Sequence, residues 1–176
     1  MNKLIACIVS CCFLMGTYFP ATGQYYKTGE DPARLKWNQL QAGTYKIIFP
    51  RRPDSLAFRY AWLLEQATPH VMRSLEADTP AIPVVLHPYN VNSNGMVAWT
   101  PKRMELITTP PSSGTMHNWE KQLAVHETRH VAQMQRAGEH FFRGFRWFFG
   151  QQSEGVSVGL YFPRWLLEGD AVITET

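Results

Sequence analysis

The sequence predicts an α+β fold: a small mixed sheet packed on a long helix and on a second helix that carries the pattern HExxH, with a glutamate-bearing helix following. Three observations lead there. Apolar residues recur at helical spacing from Leu56 to Leu75 and again from Leu123 to Met134. Short alternating or β-branched runs at 44–49, 82–86, 96–99 and 104–108 fall before the second of these stretches. Prolines, glycines and asparagines punctuate the joints between them.

In chain order, Met1, Asn2 and Lys3 precede an apolar run over 4–19, and Ala21, Thr22 and Gly23 then supply small residues. This is the pattern of a secretory signal peptide over 1–23, with cleavage expected after Gly23. The apolar run is short for a comfortable transmembrane helix, so an uncleaved anchor is the lesser alternative. Cys7 and Cys11 each end a tetrapeptide that imitates a lipoprotein cleavage box, but the apolar stretch ahead of either is very short, and simple secretion is preferred. The mature domain is therefore expected outside the cytoplasm, in the periplasm, at the cell surface or in the medium. Cys7, Cys11 and Cys12 all lie in the leader, which leaves the mature chain with neither a disulfide nor a thiolate ligand. Any metal must use nitrogen and oxygen donors.

The formal charge of +3 falls to +2 once Lys3 is removed, and the charges are scattered along the chain. No basic tract points to nucleic acid, which is not expected as a partner. About 150 residues remain after cleavage, enough for one domain around a single core.

Residues 24–43 are polar and interrupted and read as an exposed arm, with a short helix around 33–40. The domain proper is expected over 44–176. It begins with a strand in which Tyr45, Ile47 and Phe49 alternate and which Pro50 ends. Pro53, Asp54 and Ser55 then start a long helix that Pro69 is expected to kink. Residues 82–86 suit a short strand, 90–95 are turn chemistry, and 96–99 with 104–108 form a hairpin around 100–103. Asn118 can cap a helix that Gly138 can end, with no proline or glycine between. Phe141, Phe142, Phe145, Trp147, Phe148 and Phe149, interleaved with Arg143 and Arg146, fit either a membrane- or partner-facing patch or a cap on the core; the core reading is the commoner one. A last helix carries Trp165 to Thr176.

The chemistry is concentrated in His126, Glu127, Thr128, Arg129 and His130. Residues four apart lie on one helix face, so the two rings can point at one metal ion, with Glu127 beside them as a base. The same two histidines could be ordinary polar residues near a surface. The context favours the metal. Leu123, Ala124, Val131 and Met134 lie on a face next to the histidines, while Glu120, Lys121, Arg129 and Arg136 lie largely elsewhere, so the motif sits in mid-helix on rigid support. A catalytic zinc takes three protein ligands and keeps one open position, and Glu168 is the best candidate for the third.

The HExxH helix followed by the run Trp165, Leu166, Leu167, Glu168, Gly169, Asp170, Ala171, with Glu175 seven positions after Glu168, resembles the gluzincin metallopeptidases. The second segment is similar to the WLNEGFA element of zinc aminopeptidases, and the whole to bacterial peptidase MA-like proteins. The resemblance implies a zincin-like fold with Zn2+ as cofactor. His126 and His130 match the histidine ligands, Glu127 the general base, Glu168 the glutamate ligand and Glu175 an acid supporting the ligands from outside. Leu167 stands where the aminopeptidase element has asparagine, and the gap from His130 to Glu168 is longer than in compact members. In such a fold the strands before the motif helix line the cleft, and an edge strand can take an extended peptide by main-chain hydrogen bonding. Gly95, Met96, Val97, Ala98 and Trp99 are the residues expected there, against the alternative of an ordinary hairpin.

The expected activity is that of a secreted zinc metallopeptidase hydrolysing peptide bonds with zinc-activated water and a glutamate base. Its partner is a peptide or protein substrate. Tyr161, Tyr89, His140, His87 and His117 are each available as a further polar donor, and the sequence does not select among them. Glu168 falls close to the last residue, Thr176, which suggests a domain cut short within a larger metallopeptidase. The alternatives are an inactive zinc-binding interaction module and a fragment without function. An intact Glu127 argues against the module, since a protein that only holds zinc needs no base at that position.

Overall fold

The computed structural model describes residues 31–52, 54–99, 101–112, 118–138, 147, 150, 152, 158–159 and 162–175. The leader over 1–23 lies outside the described residues, as do the aromatic stretch over 141–149 apart from Trp147 and the candidate donors His117, His140 and Tyr161. Among the described residues no helix is long and apolar enough to cross a membrane.

The architecture is mixed α+β, with a five-stranded sheet and three main helices. In chain order these are β1 (Trp37–Ala42), β2 (Tyr45–Pro50), α1 (Ser55–Ser74), β3 (Ile82–His87), β4 (Asn94–Trp99), β5 (Lys102–Ile107), α2 (Trp119–Gly138) and α3 (Arg164–Thr174). The strand order is β1-β2-β3-β5-β4. The outer pairs β1/β2 and β4/β5 are antiparallel, while β3 runs parallel to both β2 and β5.

One expectation is corrected at the start. The helix expected around 33–40 is replaced by strand β1, whose residues pair with β2 from Trp37↔Pro50 to Ala42↔Tyr45. Gly43 takes φ +54° between them, and a glycine at the first position of a two-residue turn lets the chain double back into a hairpin. Inter-strand pairing overrides the weak local preference of a polar segment. The arm is thus part of the sheet from Trp37 onward, although β1 itself is largely exposed.

The other elements follow from their patterns. In β2, Tyr45, Ile47 and Phe49 are buried, and the strand takes in Pro50. Helix α1 buries a stripe that includes Tyr60, Leu64, Ala67 and Val71, and it runs from Ser55 to Ser74 as one helix with Pro69 inside it. Tyr45 Oη donates to Thr68 Oγ1 at 2.6 Å, and Thr68 Oγ1 donates to Leu64 O at 2.5 Å, so both buried hydroxyls are satisfied. The hairpin of β4 and β5 closes tightly, with Trp99 opposite Lys102. Helix α2 starts where expected: Asn118 Oδ1 accepts from the backbone N–H of Glu120 at 3.2 Å and of Lys121 at 3.4 Å.

The sheet register decides what lies under the motif helix. Leu40, Ile47, Val84, Met104 and Val97 form one row across the five strands, and Leu86, Leu106 and Gly95 form the next. Cross-strand partners share a face. These rows, with the buried faces of α1 and α2, make up the hydrophobic core. The helices α1 and α2 pack on each other, α1 reaching β1 and β2, and α2 reaching β4. Gly95 therefore sits on the helix side of an edge strand, below α2.

Candidate metal centre

His126 and His130 lie one turn apart on α2 with their ring centroids 4.7 Å apart and their planes at 82°. Glu168, brought in by α3, completes a triad that can hold a metal ion. Its Oε2 is 3.4 Å from His126 Nε2 and 3.6 Å from His130 Nε2, and the two Nε2 atoms are 3.1 Å apart. Zinc bonds of about 2.0–2.2 Å in a tetrahedral arrangement set donor atoms about 3.3–3.6 Å apart. The two histidine-to-glutamate separations match that spacing, and the two ring nitrogens lie slightly closer together.

The far sides of the rings fix which nitrogen faces inward. His126 Nδ1 donates to Glu175 Oε1 at 2.5 Å, and His130 Nδ1 donates to Gln133 Oε1 at 2.9 Å. With a proton on each Nδ1, the Nε2 lone pairs are left for a metal, the arrangement that supports and orients histidine ligands. Burial, reinforced by the neighbouring His126, holds His130 below the ordinary histidine range despite its bond to Gln133. The ring is thus neutral at pH 7, the form that binds metal.

Glu127 is 3% exposed, and its Oε2 finds no hydrogen-bond partner among the described residues. Burial first, then the negative charges of Glu168 and Glu175, push its carboxyl up to about 8. A buried acid flanked by two carboxylates is a place that calls for a cation, since positive charge there offsets both repulsions. An unpartnered carboxyl oxygen beside three convergent donors fits a metal-assisted site with its own base.

The cleft has a volume of about 290 Å³ and three walls. Strand β4 contributes Asn94 to Val97, α2 contributes His126, Glu127, His130, Gln133 and Met134, and α3 contributes Arg164, Leu167 and Glu168. Of the strand residues expected at the cleft, Gly95, Met96 and Val97 line it; Ala98 and Trp99 are buried and lie outside the lining. The sheet order makes β4 an edge strand, which the sequence left open. Gly95 meets Glu127 directly: a Cβ there would fall 2.2 Å from Glu127 Oε1.

Tyr89 and His87 are not part of this cleft. Tyr89 Oη donates to Arg52 O at 2.7 Å. His87 lies across the sheet, its Nδ1 donating to Asp31 Oδ2 at 2.5 Å.

A second correction concerns Arg129, expected on the polar side of α2 and found 7% exposed. It turns inward because its guanidinium has a carboxylate to meet: Nε and Nη2 reach Asp170 Oδ2 and Oδ1 at 2.6 and 2.8 Å. Gln133, Arg129 and Asp170 are the site-supporting residues that the motif reading missed. Gln133 and Arg129 are four apart and one turn from the histidines, a helical-spacing signal, but their partner is 37 or more positions away in sequence.

Comparison with protein-family models, with curated proteins and with solved structures finds no match to this chain. The functional reading therefore rests on the site.

Proposed function

We propose that this chain is a zinc-dependent metallopeptidase of gluzincin type with a zincin-like arrangement of sheet, motif helix and glutamate helix, acting outside the cytoplasm. One observation carries it: His126, His130 and Glu168 bring three donor atoms within 3.1 to 3.6 Å of one another, and Glu127, whose Oε2 has no hydrogen-bond partner among the described residues, lines the same cleft. A bound zinc supplies electrophilic activation of water and of a carbonyl at neutral pH. Glu127 takes the proton of the attacking water and returns it to the departing nitrogen. Its burial keeps bulk water from competing. Glu175 and Gln133 hold the two rings in the required tautomer. Along the edge of β4, backbone groups from Asn94 to Val97 offer hydrogen bonds to an extended peptide laid along the strand.

The purified chain is expected to take up one equivalent of zinc by elemental analysis. Uptake should be lost in His126→Ala, reduced in Glu168→Ala to weak binding by the two histidines that a titration can still read, and kept in Glu127→Gln. Peptide hydrolysis by Glu127→Gln should fall by about 10²–10⁴-fold with metal retained. A wild-type chain that takes up no zinc defeats the proposal, and an undiminished rate in Glu127→Gln removes the base from it.

A further inference from the structure

We infer that Asp170, gripped by Arg129 and Gln133, is the positioning residue that seats Glu168 against the two histidines. The inference rests on the metal-centre reading and deepens it. Helix α3 has little apolar burial of its own: Ala171 is the buried residue among those described on it, while Trp165, Leu166, Val172 and Ile173 are exposed. Hydrophobic packing alone therefore does not fix its rotation or its slide along α2. Glu168, Ala171 and Glu175 follow one another at i, i+3 and i+7 on one face, with Leu167 and Asp170 on the adjoining face. A turn of α3 by one residue swings a side chain by about 100°, enough to carry Glu168 off the histidines.

A polar clasp prevents that. Arg129 bridges both carboxylate oxygens of Asp170, a two-point contact that is directional as a single contact is not. Gln133 Nε2 donates to Asp170 Oδ2 at 2.6 Å and to Leu167 O at 3.0 Å, while its Oε1 accepts from His130. One amide thus ties a ligand ring to the backbone next to the third ligand. The other arm of Arg129 donates to Ser74 Oγ at the end of α1, which anchors the clasp to the core helices. Asp170 touches none of the three donor atoms. It acts through the helix that carries Glu168.

The test is a double-mutant cycle on the full chain, with the zinc dissociation constant read by competition against a chromophoric chelator. Asp170→Asn should raise that constant by about 10–100-fold, and Asp170→Glu, which keeps a carboxylate, by less. In a Glu168→Ala background, where the ligand being seated is gone, Asp170→Asn should change affinity by less than about 3-fold. The same fold-loss with and without Glu168 overturns the inference, because Asp170 would then support only the fold. An unchanged constant in Asp170→Asn overturns it too. Should circular dichroism show Asp170→Asn unfolded, Ser74→Ala at the exposed end of the clasp serves instead: a loss that depends on Glu168 supports the clasp, and no loss overturns it. A wild-type chain without zinc affinity overturns the centre and the clasp together, whereas an intact wild-type affinity with an indifferent Asp170 overturns the clasp alone.

Discussion

At Gly95 and Glu127 a strand and a helix meet with no room between them. An added Cβ at Gly95 would lie 2.2, 2.5 and 2.6 Å from Glu127 Oε1, Cδ and Cγ, all inside the distance at which something must move. The carboxylate end is the flexible partner, so Glu127 would yield before the strand. Gly95→Ala is thus expected to displace Glu127 while leaving His126, His130 and Glu168 untouched. Zinc content should stay at one equivalent and kcat for a peptide should fall by about 10²-fold, the scale of an ångström's misplacement. A Gly95→Ala chain with wild-type kcat would show that Glu127 has space to spare. Gly95 was expected on the strand that takes a peptide; that its missing side chain leaves room for Glu127 is decided by the packing of α2 over β4.

Among the elements, α2 carries the site, and its start is set locally. Asn118 Oδ1 meets two of the N–H groups that the first turn leaves without helical partners. Asn118→Ala should cost about 1 kcal/mol and lower the melting temperature by a few degrees, with the zinc stoichiometry unchanged. A melting temperature equal to wild type would mean that water serves the cap as well. This helix was legible because its apolar spacing, cap and terminal glycine all agree. Strand β1 was not. Residues 37–42 lack a strong alternation of their own, and what makes them a strand is β2 beside them. Nor is the order of the strands written in any segment, since β3 lies between β2 and β5 through crossovers that no local pattern encodes.

Across the whole molecule, the sheet separates two polar clusters. The candidate metal centre lies on the helix side. On the opposite face His87 sits between Asp31 and Glu105, its Nε2 3.5 Å from Glu105 Oε2, with Trp37 edge-on at 6.2 Å and Arg103 bonded to Glu105. Burial alone would lower its pKa, but the bonds and charges of Glu105 and Asp31 outweigh that and raise it. A histidine with a raised folded pKa contributes stability in full below its unfolded value of about 6.5 and loses it as pH rises through the folded value. Thermal melts of the wild type should therefore decline from pH 6.5 upward, by no more than about 1.4 kcal/mol per pH unit from this group, and His87→Gln should remove that part of the slope. Equal slopes for the two chains over this range would mean that His87 is not protonated between its carboxylates.

By itself the sequence predicted the three main helices, four of the five strands and the residues of the group that could hold a metal ion. Periodicity, caps and an i, i+4 histidine pair are short-range properties, readable within one or two turns of chain. Only the tertiary structure decided that β4 is an edge strand, that Glu127 rests on Gly95, that Glu168 closes a triangle of 3.1, 3.4 and 3.6 Å, and that Arg129 turns inward to grip Asp170. Each of these depends on a partner supplied by another element. A side chain's direction is chosen by the charge or space it finds there, and residue spacing along one segment cannot state what a distant segment will bring.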